Sequence, residues 1–351
     1  MVRISDVFGV GGGKPPEEKG TPPPPPAVEV PPLESELRRS QEEAQALYKE
    51  GLFLVEVLFD KARLEEPLPL DKARDFVTRA VLSVASDGDF LLAFTIGIPT
   101  GNFLYPHSLN VLIISLKIGL GLRYDKTQLI ELGMAAFLHD IGMAKVPQEI
   151  LNKSEKLTPE EFNQIKQHPF YTVTLLEKIK DLEPVILAAI SQEHERMDGT
   201  GYPKGLSGVE VSPYARIIGL VDVYEALTHP RPYRKHSTPD EAMKMIAYST
   251  GASFKPDVLD VLKALTKELS LYPVGSYVQL NTKEIGRVLR VNKNFPLLPL
   301  VEVLIGSKET KLEEPRQVDL SQEPLLHIKH SVDILQVMAM LEGGADGSSR
   351  T

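Results

Sequence analysis

From Glu34 to about Leu271 the apolar residues recur at three- and four-residue spacing, and almost nothing in that span resembles a strand. A chain with that period can bury its core only by packing helices on helices. After about Leu271 the character switches. Ser276–Leu280, Gly286–Val291 and Leu300–Ile305 are short β-rich runs separated by Asn, Gly and Pro, the signature of a small antiparallel unit. The expected fold class is therefore mainly α, a helical bundle with a small C-terminal antiparallel β appendage.

Punctuation residues divide the chain further. Residues 1–34 hold Gly11, Gly12, Gly13, Pro15, Pro16 and the run Pro22–Pro26, and read as a disordered tail. A tail of this kind can offer a docking peptide to a protein partner; the plainer reading is a solvated one. The expected organisation is this tail, an N-terminal helical region over 35–99, a central helical domain over 100–271, a β-rich region over 272–340 and a flexible tail over 341–351. Ser35 is placed to cap a first helix, and Asp71 opens a second that runs to Ala85 before a turn at Asp87, Gly88 and Asp89. Further helices are expected over Pro106–Leu122, Lys126–Ile141, from a Thr158 cap through Lys180, and over Pro184–Glu195, Pro213–Leu227 and Pro239–Ser249.

With no Cys in 351 residues, disulfides, thiolate metal sites and Cys nucleophiles are excluded. Any transition metal must sit on His and carboxylates, which suits iron, manganese or zinc in a hydrolytic role. A net charge of -9 argues against sequence-independent nucleic-acid binding, which needs a basic surface. A small anionic ligand in a locally basic pocket stays compatible with it. No run reaches the roughly 18 apolar residues of a membrane span; Val111–Leu122 is interrupted by Lys117. No secretory signal is visible, so a cytoplasmic location is expected, and homodimerisation is left open.

Four of the eight His, namely His107, His139, His168 and His194, fall at the starts or ends of expected helices. Singly, each is more often a satisfied structural residue. Asp140 and Asp222, however, lie in otherwise apolar helical runs, where a buried carboxylate needs a compensating partner such as a metal. Inward-facing His and carboxylates on neighbouring helices are how bundles build metal sites.

The order of motifs then becomes specific. His107-Ser108 is followed by Leu138-His139-Asp140-Ile141-Gly142, Leu157-Thr158-Pro159, His168-Pro169, Glu193-His194-Glu195, Asp198-Gly199, Gly201-Tyr202-Pro203, Asp222 and Arg231-Pro232-Tyr233-Arg234. From about Asn102 to Pro256 the chain resembles the HD-GYP family, the branch of the HD metal-dependent phosphohydrolases that degrades cyclic di-GMP. The resemblance implies an HD-domain helical bundle and two divalent metal ions, iron or manganese. It implies that His107, His139, Asp140 and Asp222 hold one ion, while Asp140, His168 and His194, with Glu193, hold the other. His139 and Asp140 would be the catalytic pair, and Tyr202, Arg231 and Arg234 would contact the nucleotide. Some relatives bind a third metal through a Glu where this chain has Phe103, so two are expected here.

Two departures bear on activity. Met143 stands where the family usually has a Lys able to reach the scissile phosphate, and Lys145, two residues on, is a weak substitute. Glu193 stands where a His is usual, and can still ligate a hard or borderline cation. Val221, Glu225 and Thr172 also depart from the pattern and read as neutral. The resemblance implies a cyclic di-GMP phosphodiesterase that uses a metal-activated hydroxide to give the linear dinucleotide or GMP. Two alternatives stay open: a weakened or inactive member that binds cyclic di-GMP or a protein without turnover, and a phosphohydrolase of another nucleotide.

Overall fold

The computed structural model describes residues 33–96, 102–179, 182–229, 236–250, 256–292 and 294–343. The Pro/Gly-rich segment read as a tail lies outside the described residues up to position 32, as does the chain beyond 343. The described residues from Arg39 onward form one compact unit. No helix among the described residues is long and apolar enough to cross a membrane.

The bundle is built around α3 (Leu104–Gly121). Leu109, Val111, Leu112, Ile113, Ile114, Leu116 and Ile118 are all buried there, so this helix is apolar on every side and must be enclosed. Around it pack α2 (Leu70–Phe94), α4 (Lys126–Leu138), α9 (Pro213–Thr228) and α11 (Pro256–Leu269). Between α4 and α9 the chain passes through short helices: α5 (Gln148–Leu151), α6 (Pro159–Ile165), α7 (His168–Leu176) and α8 (Pro184–Gln192). α1 (Leu33–Leu64) precedes this bundle and α10 (Pro239–Thr250) packs on α9.

Several boundaries differ from expectation, each for a local reason. α1 begins at Leu33, ahead of the Ser35 meant to cap it. α2 runs unbroken through positions 87–89. Leu91 and Leu92 beyond them are buried, and that packing outweighs the roughly 1 kcal/mol a mid-helix glycine costs. α4 stops at Leu138 instead of Ile141, and a short 3-10 turn, Ile141–Lys145, follows. His139 and Asp140 therefore sit on a helix end, not within a helix. The run expected through Lys180 is broken between α6 and α7, because Pro169 cannot donate an N–H to a preceding turn. The Thr158 cap is as expected, with a capping box to Glu161.

The C-terminal unit is a five-stranded antiparallel sheet in the order β4-β3-β2-β1-β5. Its strands are β1 (Tyr277–Leu280), β2 (Ile285–Arg290), β3 (Leu300–Ile305), β4 (Lys311–Asp319) and β5 (Ile328–Val332). Strand β3 alternates strictly, with Val301, Val303 and Ile305 buried. The edge strand β4 carries Lys311, Glu313, Glu314, Pro315 and Arg316, charges and a proline that deter edge-to-edge pairing. A final helix, α12 (Ile334–Gly343), packs Val337 against Ile285 and Ile305.

Candidate metal centre

Five separate segments deliver seven donor side chains to one place. His107 comes from the first turn of α3, His139 and Asp140 from the end of α4, and His168 from the start of α7. Glu193 and His194 follow the last turn of α8, and Asp222 projects from α9. Asp140 is the hub. Its Oδ2 lies 3.4 Å from His107 Nε2 and 3.5 Å from His139 Nε2, while Oδ1 lies 3.3 Å from His168 Nε2. Asp222 Oδ1 is 3.2 Å from His107 Nε2. His168 Nε2 is 3.3 Å from Glu193 Oε1 and 3.1 Å from His194 Nε2.

Helix ends set which ring nitrogen faces the cluster. Where α4 stops, the carbonyl of Ala136 is left without its helical donor, and His139 Nδ1–H donates to it at 2.8 Å. Pro169 leaves the carbonyl of Ile165 without a donor in the same way, and His168 Nδ1–H takes it at 2.8 Å. His107 Nδ1 is engaged by the carboxylate of Glu225. In all three rings the outer nitrogen is the donor, so the Nε2 lone pair points at the cluster, the arrangement found in metal-ligating His.

The donors fall into two groups able to hold a cation: His107, His139 and Asp140, then His168, Glu193 and His194. His139 Nε2 and Glu193 Oε2 are buried with no hydrogen-bond partner among the described residues. Leaving buried acceptors unsatisfied is unfavourable by about 1–3 kcal/mol each, and cations would satisfy both. Burial pushes Asp140 up, but His139, His168 and His107 together hold its carboxyl below the usual range. Asp222 is likewise held well down, against burial, by His107, His194 and His139. Burial works against a proton on His168, yet Glu193 and Asp140 raise its affinity; His194 is pushed down by burial. The two facing imidazoles thus differ in proton affinity, raised at His168 and lowered at His194.

Three positioning groups were not legible as such. Glu225, read as a neutral substitution, is fully enclosed, accepts from Asn110 Nδ2 at 3.0 Å and pairs with His229 Nδ1 at 3.2 Å. Tyr48 on α1 extends the chain by donating to Asn110 Oδ1 at 2.8 Å. Thr172, also read as neutral, ties two donor segments together. Its hydroxyl accepts from Gly142 N–H at 2.9 Å and lies 2.9 Å from the carbonyl oxygens of His139 and His168. At Gly142 an added Cβ would sit 2.2 Å from the His168 carbonyl oxygen, so only glycine allows this approach. The signal that could have found Glu225 and Thr172 was their polarity within apolar helical runs.

Tyr202 stacks on His194, with ring centroids 4.7 Å apart at 24°. Burial and the charges of Glu193, Asp222 and Asp140 raise its hydroxyl far above the ordinary value, so it remains a donor. The loop behind it is held by Glu195, which accepts from Lys204 N–H at 2.7 Å and Leu206 N–H at 2.9 Å. At Gly201 a Cβ would meet Arg196 N at 2.3 Å. The Lys166 ammonium lies 5.1 Å from the Tyr202 ring centroid. Met143 packs against the core, and Lys145 is turned away to Glu65, Nζ to Oε1 2.8 Å. Arg231 and Arg234 lie outside the described residues.

Comparisons with known proteins point to one family. A family model described as an HD domain matches residues 100–258, and one described as a KOW domain associated with HD domain matches residues 277–339. The chain is 32% identical over 286 residues to a cyclic di-GMP phosphodiesterase of Pseudomonas aeruginosa, covering 82% of this chain and 67% of that protein. It is 29% identical over 224 residues to the cyclic di-GMP phosphodiesterase PdeB of Borreliella burgdorferi, covering 62% of this chain and 56% of that one. Among solved structures, a HDG"Y"P protein from Bdellovibrio bacteriovorus matches with a TM-score of 0.54 at 21% identity, over 64% of this chain and 71% of that one. That last likeness is one of fold.

Proposed function

Because this chain belongs to the HD-GYP family of HD-domain proteins, we propose that it is a metal-dependent phosphodiesterase that hydrolyses cyclic di-GMP. The observation that carries the reading is the pair of donor groups around Asp140, with an orphaned acceptor in each. His107, His139, Asp140 and Asp222 would hold one cation, and Asp140, His168, Glu193 and His194 the other. Two divalent cations there, iron or manganese, would supply the Lewis acidity that makes water nucleophilic at neutral pH and offsets charge on a reacting phosphate.

The protein's own contribution is orientation and charge. Ala136, Ile165 and Glu225 hold the outer nitrogens of three His, so each ring is already oriented with Nε2 toward the cluster. Tyr202, kept protonated beside His194, can donate to a phosphate oxygen or stack on a base. Arg231 and Arg234 are assigned to the phosphates, whose oxygens suit the guanidinium fork.

Incubating the manganese- or iron-loaded protein with cyclic di-GMP should yield the linear dinucleotide or GMP, and Asp140→Ala should abolish that product. Equal, background-level cleavage by both proteins would overturn the proposal. One observation favours a second reading, nucleotide binding without turnover. Lys145 is committed to Glu65 and Met143 brings no charge, which leaves the 3-10 turn after Asp140 without a free cation. Losing one preorganised donor typically slows a reaction about a hundred- to thousandfold. Tight binding of cyclic di-GMP by the metal-loaded protein, with no product over hours, would establish that reading instead.

A further inference from the structure

Glu193 is the least exposed of the seven donors, at 0%, and its two oxygens look in different directions. Oε1 lies 3.3 Å from His168 Nε2 and 3.9 Å from His194 Nε2. Oε2 lies 4.0 Å from His139 Nε2, which belongs to the other donor group. Both Oε2 and His139 Nε2 lack a hydrogen-bond partner among the described residues, and both are acceptors, because His139 spends its proton on Ala136. Two buried lone pairs facing each other repel unless a positive ion lies between them.

We propose that Glu193 bridges the two cations of the centre, so that each of the two metal sites depends on it. The inference rests on the metal-dependent reading above, and concerns the ions alone, not the nucleotide. Asp140 has the same straddling geometry, with one oxygen toward His107 and His139 and the other toward His168. Asp222 does not. Its second oxygen faces His194 Nδ1 at 3.9 Å, whereas the His194 nitrogen turned toward His168 is Nε2. Asp140 and Glu193 therefore form two parallel carboxylate bridges, and Asp222 serves one ion.

The consequence is specific to this chain. An imidazole has one lone pair to offer once its other nitrogen is protonated, so a His at position 193 could reach only one ion. A carboxylate reaches both and makes the donor set harder. Relative to a set with His at 193, that shifts the preference from zinc and nickel toward manganese and ferrous ions.

The test is manganese titration of the full-length, metal-free protein by calorimetry, with bound metal counted by mass spectrometry. Wild type should take up two ions. Glu193→Gln, isosteric but uncharged, should weaken both binding steps by tenfold or more. Glu193→His should restore one step only and shift uptake from an equimolar manganese–zinc mixture toward zinc. His194→Ala, the terminal-ligand comparator, should weaken a single step. Melting of the metal-free Glu193→Gln protein at or above the wild-type temperature checks its fold, since the substitution removes a buried charge. If Glu193→Gln impairs one step and spares the other, the bridge is wrong while the metal-dependent reading stands. If wild type binds no metal, both fall together.

Discussion

At the scale of single residues, the histidines depend on the groups behind them. Glu225 touches no donor atom that faces the cluster, yet it holds His107 by the outer nitrogen. Glu225→Gln should leave the fold intact and weaken manganese affinity about 10- to 100-fold, measurable by calorimetry against circular dichroism. The raised proton affinity of His168 gives a second expectation. Against burial, Glu193 and Asp140 raise the proton affinity of His168 above the ordinary value of about 6.5, whereas burial lowers that of His194. A cation held by His168 Nε2 competes with a proton on that ring, so affinity should rise with pH until that proton is gone. Titrations at pH 6, 7 and 8 in buffers of different ionisation enthalpy should show tighter binding and less proton release as pH increases. Affinity independent of pH would contradict the arrangement. The donors themselves were readable in the sequence because their order is dense and specific. Glu225 and Thr172 were not, since their importance lies in contacts with residues 118 and 33 positions away.

At the scale of elements, the centre is made from places where helices end. α4 ends at His139, α7 begins at His168, and α8 ends just before Glu193. These ends provide both the unsatisfied carbonyls that orient the rings and the tight turns that bring backbones together. Gly142→Ala forces a methyl against the His168 carbonyl. Overpacking of this kind costs about 1–3 kcal/mol; denaturant melts should register it, along with weaker metal binding as the α4 turn is pushed off α7. Element positions were legible where the apolar period was strong, as in α3 and β3. They failed where packing overrode local preference. The turn expected at Asp87–Asp89 is helix because Leu91 and Leu92 are drawn into the core. β4 went unseen because an exposed edge strand of Lys, Glu, Pro and Arg carries no alternation to read.

At the scale of the whole molecule, the helical bundle and the antiparallel sheet were both visible as a change of period near Leu271. The bundle's arrangement around α3 was not, because which helix is central depends on tertiary burial. One expectation belongs to this scale. Ions that bind the native centre and not the unfolded chain stabilise the fold by about 2.7 kcal/mol per site at a hundredfold excess over Kd. Manganese should therefore raise the melting temperature, a chelator should reverse the gain, and Asp140→Ala should show little of it.

The span of the centre along the chain has a consequence for biosynthesis. His107 and Glu225 are 118 residues apart, and the donors between them come from four further turns of chain. On the ribosome, α3 and α4 emerge and can pair while α9 is still being made, so the nascent bundle first carries three of the seven donors, His107, His139 and Asp140. The full donor set is completed only once synthesis has passed Asp222, and a chain arrested short of α9 should emerge with a centre that lacks Asp222 and the Glu225 that holds His107.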